Sequence, residues 1–125
     1  MTELFKPFPK SEGSFFLCIS CRKAGHCRLG MLSEKVLPDG RTLTRIRCPN
    51  DQAGAPGVAH GGWTASVLDE MLGHLALHAG AFTVTGKLTV EYVKPVPVER
   101  DLEGFAWTVK RDNGRWQVAG ELRLA

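Results

Sequence analysis

In this chain of 125 residues, His60-Gly61-Gly62 stands a short distance before the acidic pair Asp69-Glu70. Apolar periodicity predicts one helix from Gly61 to about Ala79. The first amides of a helix have no acceptor inside it and sit at the positive end of the macrodipole, so this mouth suits an anion or a developing oxyanion. Glycine at 61 and 62 opens that backbone to a ligand, and equally permits a tight loop-to-helix turn. On the helical wheel Asp69 falls at the edge of the apolar arc, beside Ala65 and Ala76, where a carboxylate is half-desolvated and approachable. The competing reading is an ordinary surface acid. Glu70 falls on the polar side, near His74. Gly61 and Asp69 lie roughly 12 Å apart along the helix, so no single carbonyl touches both. Two such helices packed antiparallel about a two-fold axis would bring Gly61 of one chain toward Asp69 of another, making two identical sites per dimer.

A second group of reactive residues is FLCISCRKAGHCR, with Cys18, Cys21, His26 and Cys27, and with Cys48 further on. Cys-x-x-Cys followed by His-Cys has metal-like spacing, but the tight second pair of a zinc ribbon is missing and adjacent His26 and Cys27 chelate together awkwardly. Structural, metal-binding and redox roles stay open for this segment. His74 and His78, at i and i+4 with no acid in register, read as a pair on the helix surface.

The elements that must position these residues follow from pattern. Residues 1–17, with two prolines and scattered Phe, read as an irregular arm, and the arm with its Cys-x-x-Cys element is set at 1–30. MLSEKVL and RTLTRIRC flank Pro38-Asp39-Gly40, a hairpin turn. NDQAGAPGVAH, 50–60, is a loop. On the helix, Trp63, Val67, Leu68, Met71, Leu72, Leu75 and Ala79 form one apolar arc, and Gly80 stops it. Phe82, Val84, Gly86, Leu88, Val90 and Tyr92 alternate with Thr83, Thr85, Lys87, Thr89 and Glu91, which predicts a long strand ended by Pro95 and Pro97. Residues 102–111 and 115–124 read as two further strands joined at Asp112-Asn113-Gly114. A hairpin, one long helix and three antiparallel strands make an α+β layer pair, with the helix lying on the sheet.

At 125 residues the chain forms one domain, set at 31–125. Lys and Arg number 16 against 13 Asp and Glu, and the net charge of +3 is dispersed, which fits an anionic small ligand better than nucleic acid. No apolar run approaches the roughly 18 residues of a spanning helix, and MTELFKPFPK lacks the order of an export signal. The expectation is a cytoplasmic protein, off the membrane, with its cysteines reduced.

Three runs carry a resemblance: Pro56-Gly57-Val58-Ala59-His60-Gly61-Gly62, then Leu68-Asp69-Glu70, then Leu88-Thr89-Val90-Glu91-Tyr92-Val93-Lys94-Pro95-Val96-Pro97. In order and spacing, over roughly residues 30–124, the chain resembles the PaaI-type acyl-CoA thioesterases. The resemblance implies a hotdog fold, a curled antiparallel sheet wrapped around one long central helix. It implies a homodimer or dimer of dimers and hydrolysis of an acyl-CoA thioester without cofactor or metal. By position, Gly61 N–H would polarise the carbonyl, His60 would orient or bind the thioester end, and Asp69 of the facing chain would be nucleophile or general base. Thr85 falls where related enzymes often carry a Ser or Thr that positions water. Some relatives place Asn six residues before the His; here that position is Gly54, with Gln52 as a substitute.

The acyl pocket is expected among apolar residues of the helix and central strands, with Gly62 in contact with substrate and Trp63 and Met71 as candidate walls, for which plain core packing is the stronger reading. Lys87, Lys94, Arg100 or Arg111 are expected to meet the nucleotide phosphates, or else to be solvated surface charges. Two other readings compete with the hydrolase. An acyl-CoA hydratase or dehydratase lacks its extended motif here, and a non-catalytic acyl-CoA binding module would use the same groove for sensing.

Overall fold

A computed structural model describes residues 16–125. The arm expected over 1–17 lies outside them, except for Phe16 and Leu17. The elements run α1 (Ile19–Arg22), β1 (Met31–Val36), β2 (Thr42–Ile46), a 3-10 turn (Asn50–Gln52), β3 (Ala53–Ala55), β4 (Val58–Ala59), α2 (Gly61–His78), β5 (Leu102–Asp112) and β6 (Arg115–Leu124). Strands β1-β2-β5-β6 form one antiparallel sheet in that order, and β3 pairs with β4 as a separate two-stranded ribbon. The 50–60 loop therefore holds more backbone pairing than its composition suggested.

Both hairpins form where the turn chemistry puts them. Gly40 takes a φ of +88°, and Leu37 N–H donates to Arg41 O at 2.7 Å across the β1–β2 turn. At the tip of β5–β6, Asn113 and Gly114 have φ of 49° and 76°, the paired positive values of a twist-matched two-residue turn. β2 then pairs with β5 over Thr42↔Ala106 to Ile46↔Leu102. Alternation follows: Leu102, Gly104 and Ala106 are buried beneath α2, while Phe105 and Trp107 face outward and are half-buried.

Helix α2 packs through Trp63, Val67, Met71 and Leu75, a stripe at four-residue spacing. Burial of such a side chain contributes about 1.5–3 kcal/mol each. The helix can lie close because Gly104 and Gly120 oppose it; a Cβ at Gly104 would run into the Met71 thioether, and one at Gly120 would come 3.1 Å from Leu72. Its C-terminus closes with Ala81 N–H on Ala76 O at 2.9 Å and Gly80 N–H on Leu77 O at 3.0 Å, with Gly80 in the left-handed region.

Three expectations are corrected. Leu68 and Leu72 are only half-buried and Ala79 is exposed, whereas Thr64 and His74 are buried on α2. The arc was drawn for apolar types alone, and His74 goes inside because it has charged partners there. The strand expected over 82–92 makes no ladder within the described chain. Its alternation is real as sequence, yet a strand also needs a neighbour at about 4.8 Å, and an open groove of about 1340 Å³ separates this segment from β6. Val84, Tyr92 and Val93 are consequently exposed. His74 and His78 are not a surface pair either, as the site geometry makes clear.

Residues 16–30 pack on the domain. Leu17, Cys21 and Cys27 join the core formed by Met31, Ile46, Cys48, Trp63 and Leu102.

Candidate active site

His60 is the N-cap of α2: its Nδ1 accepts the Gly62 N–H at 2.9 Å. In the neutral ring the proton therefore sits on Nε2, which remains as a donor. His60 N–H donates to Gln52 O at 2.8 Å, so Gln52 meets the histidine through its backbone. Gly54 of the ribbon lies directly against it; a Cβ at 54 would stand 2.9 Å from His60 Cα. On this backbone the position that some relatives give to Asn has no room for a side chain. Gly61 N–H, the first amide of α2, has no intrahelical acceptor by geometry. Gly61 O accepts the Tyr92 hydroxyl at 2.7 Å.

Asp69 is half-buried and lies on the border of two grooves, one against 82–90 and β6 and one, of about 910 Å³, against the cysteine segment. The Thr85 hydroxyl donates to Asp69 Oδ1 at 2.6 Å. Lys87 lines the first groove, and Lys94 is exposed outside both. Trp63 is 2% exposed and its indole N–H donates to Leu29 O at 2.8 Å, so it is core with its polar atom satisfied. Met71 is fully buried. Arg111 stacks over Trp116 at 3.8 Å from the ring centre. The segment 81–97 is thus gripped by α2 at Thr85–Asp69 and at Tyr92–Gly61, and beyond them by Ala59 N–H on Val96 O at 2.8 Å. Within one chain His60, Gly61, Gly62 and Tyr92 gather at the helix mouth, and Asp69 with Thr85 two turns on.

A second polar cluster was not legible in the sequence. Glu34, on β1, is buried and takes His74 Nδ1 at 3.0 Å, His78 Nε2 at 2.6 Å and the Thr44 hydroxyl at 2.6 Å. Glu70 receives His74 Nε2 at 3.2 Å, and Phe16 packs edge-on to both rings. Burial pushes Glu34 up, but the bonds from His74 and His78, the His74 charge and Thr44 outweigh it and hold the carboxyl at about 2. Burial likewise pushes His74 down, while Glu34 and Glu70 raise it to about 9. Contrary to expectation, Glu70 is an acid in register with His74, and the acid that both histidines share comes from an edge strand 40 residues before His74.

All four cysteines are free thiols. Cys48 is fully buried in the core, its thiol pushed up to about 11 by burial and by the Glu99 and Asp51 carboxylates. Among the described residues no three His, Cys, Asp or Glu side chains gather as a metal site, and no helix is long and apolar enough to cross a membrane.

The sequence model of the Thioesterase superfamily matches residues 56–124, more than half of the chain, from the loop before His60 to the end of β6. The chain belongs to the thioesterase superfamily. Solved members share the architecture. One, described as a thioesterase superfamily protein, aligns at a TM-score of 0.68 and 28% identity over 74% of this chain and 48% of its own, so this chain spans about half of that relative. A hypothetical thioesterase from Streptococcus pneumoniae, solved with coenzyme A, aligns at 0.64 and 18% identity over 72% of each chain. Zebra fish thioesterase superfamily member 2 aligns at 0.54 and 18% identity, over 73% of this chain and 80% of its own. The fold of this thioesterase-superfamily chain is the hotdog, a curled antiparallel sheet with one long central helix.

Proposed function

We propose that this chain is an acyl-CoA thioesterase of the PaaI type, acting as a dimer or dimer of dimers in the cytoplasm. The observation that carries the reading is the Thr85 hydroxyl on Asp69 Oδ1 at 2.6 Å, at the edge of an open groove. Asp69, so oriented, takes the proton of an attacking water or attacks the thioester carbonyl itself. The oxyanion forms at the helix mouth of the facing chain, against Gly61 N–H and the positive end of α2. The His60 cap, which leaves Nε2–H as a donor, orients the thioester end. Collapse of the tetrahedral intermediate breaks the C–S bond and releases CoA as its thiol.

Distance supports a site made from two chains: about 12 Å of helix separates Gly61 from Asp69 in one chain. The coenzyme A held by the pneumococcal neighbour supports the CoA portion of the substrate. In this reading Gly62 borders the acyl group, with Trp63 packed in the core behind it, and Lys87 and Lys94 meet the CoA phosphates.

The test is CoA release from short, medium, long and aromatic acyl-CoAs, with wild type beside Asp69→Ala and folding followed by circular dichroism. Turnover lost in a still-folded Asp69→Ala dimer is the expected result. Saturable acyl-CoA binding without thiol release would give the chain a binding role instead.

A further inference from the structure

We propose that Cys18 and Cys21 form a reversible intramolecular disulfide, made by exchange with a small-molecule disulfide. Cys21 N–H donates to Cys18 O at 3.0 Å, closing a four-residue turn. Such a turn holds its end Cα atoms within about 7 Å, and disulfides bridge Cα separations of about 4.4–6.8 Å. The two thiols differ in access, Cys18 being half-exposed and Cys21 only 4% exposed. Cys21 Sγ accepts the Arg28 N–H at 3.4 Å. Burial pushes the Cys21 thiol up, yet that amide, the Arg28 guanidinium and the neighbouring Cys18 thiol together leave it below the ordinary cysteine value. Cys27 is the contrast, a thiol that burial raises. One partner is therefore reachable from solvent, and the other is favoured as the resolving thiolate.

The exchange balances. Cys18, having released its proton, attacks one sulfur of the reagent disulfide, breaking that S–S bond and expelling the first small thiol. Cys21 thiolate then attacks the Cys18 sulfur of the mixed disulfide and expels the second. The protein loses two S–H bonds and gains one S–S bond, and the reagent is reduced to two thiols.

Both cysteines are among the residues lining the groove that also holds Asp69 and Glu70. Oxidation takes the Cys21 sulfur, which accepts the Arg28 N–H, into a bond with Cys18. Arg28 is followed by Leu29, whose carbonyl receives the Trp63 indole just inside α2. The thiol state is thereby built into the wall of the groove, whatever that groove binds.

The full chain is equilibrated with mixtures of reduced and oxidised glutathione, quenched in acid, alkylated with N-ethylmaleimide and digested with trypsin. Residues 11–22 then carry Cys18 and Cys21 together, while Cys27 leaves on 24–28. The expected result is a cooperative loss of both alkyl groups from 11–22 as the mixture becomes oxidising, reversed by dithiothreitol, with Cys27 and Cys48 still alkylated. Cys21→Ser is expected to stop at a glutathione adduct on Cys18. The proposal is overturned if 11–22 keeps both alkyl groups throughout, if it ends as glutathione adducts without a bridge, or if Cys27 takes the bridge. The wild-type measurement decides even where a variant fails to fold.

Discussion

Glu34 and His74 are joined by a 3.0 Å hydrogen bond across 40 residues of sequence, with both side chains almost wholly out of water. The bond ties the outer strand of the sheet to the last turns of the helix, and it makes stability depend on pH from two sides. Glu34 falls from 4.5 to about 2 on folding, so its contribution is complete above 4.5 and lost as pH falls through about 2. His74 rises from 6.5 to about 9, so its contribution is complete below 6.5 and lost as pH rises through about 9. The pair therefore stabilises most between about 4.5 and 6.5. Urea titrations of wild type and of a Glu34→Gln, His74→Gln double variant across this range should show a difference that shrinks on both sides.

Removing one partner alone is costlier than removing both. His74→Ala leaves the Glu34 carboxylate buried with weaker compensation, and breaking a buried pair in this way costs about 3–5 kcal/mol. The denaturation midpoint at neutral pH should fall accordingly, and fall less when Glu34→Gln is added. Equal midpoints for the single and double variants would sink the coupling.

Thr85→Val keeps the shape of the side chain and removes the donor to Asp69. A hydrogen bond to a charged group is worth about 1.5–3 kcal/mol, roughly ten- to a hundred-fold in rate if it acts on the reacting carboxylate. Under the proposed function, kcat should drop by that factor with little change in KM. A change in KM alone would make Thr85 a substrate contact instead.

The cap at His60 separates folding from chemistry. His60→Ala leaves Gly62 N–H without its acceptor and should cost about 1 kcal/mol of stability. His60→Asn supplies another side-chain acceptor and should recover most of that loss. Activity recovered along with stability would remove any role for the imidazole beyond capping.

Gly54→Ala tests the contact behind the helix mouth. Its Cβ would stand 2.9 Å from His60 Cα, a backbone atom that yields only if the ribbon moves. The expected cost is about 1–3 kcal/mol, with lower turnover because His60 is displaced. Unchanged thermal stability and turnover would mean that the ribbon yields freely.

Local signals read well from sequence because they act locally. Asn113-Gly114 specifies its turn through φ, Gly80 specifies the helix stop, and the four-residue spacing of Trp63, Val67, Met71 and Leu75 specifies a buried face. What periodicity cannot report is which element a residue meets. Glu34 was not singled out, and His74 and His78 read as a helix-surface pair, because their contact depends on how β1 lies over α2. Alternation over 82–92 told the two faces apart but could not supply a neighbouring strand. Thr85 was singled out by family resemblance and not by spacing. Tyr92 was assigned only to an apolar face, with nothing in the pattern to put its hydroxyl on Gly61.

The grips at Thr85 and Tyr92 also set a length. Extended chain from 85 to 92 covers about 23 Å, while the helix positions they reach, 69 and 61, are about 12 Å apart. The surplus has to be absorbed by obliquity, by the reach of the tyrosine ring and by the bend at Gly86. Inserting or removing a pair of residues between 86 and 91 would preserve the alternation of faces and still slide Tyr92 off Gly61 while Thr85 held Asp69. Spacing along this segment is thus a gauge that registers one end of the helix against the other.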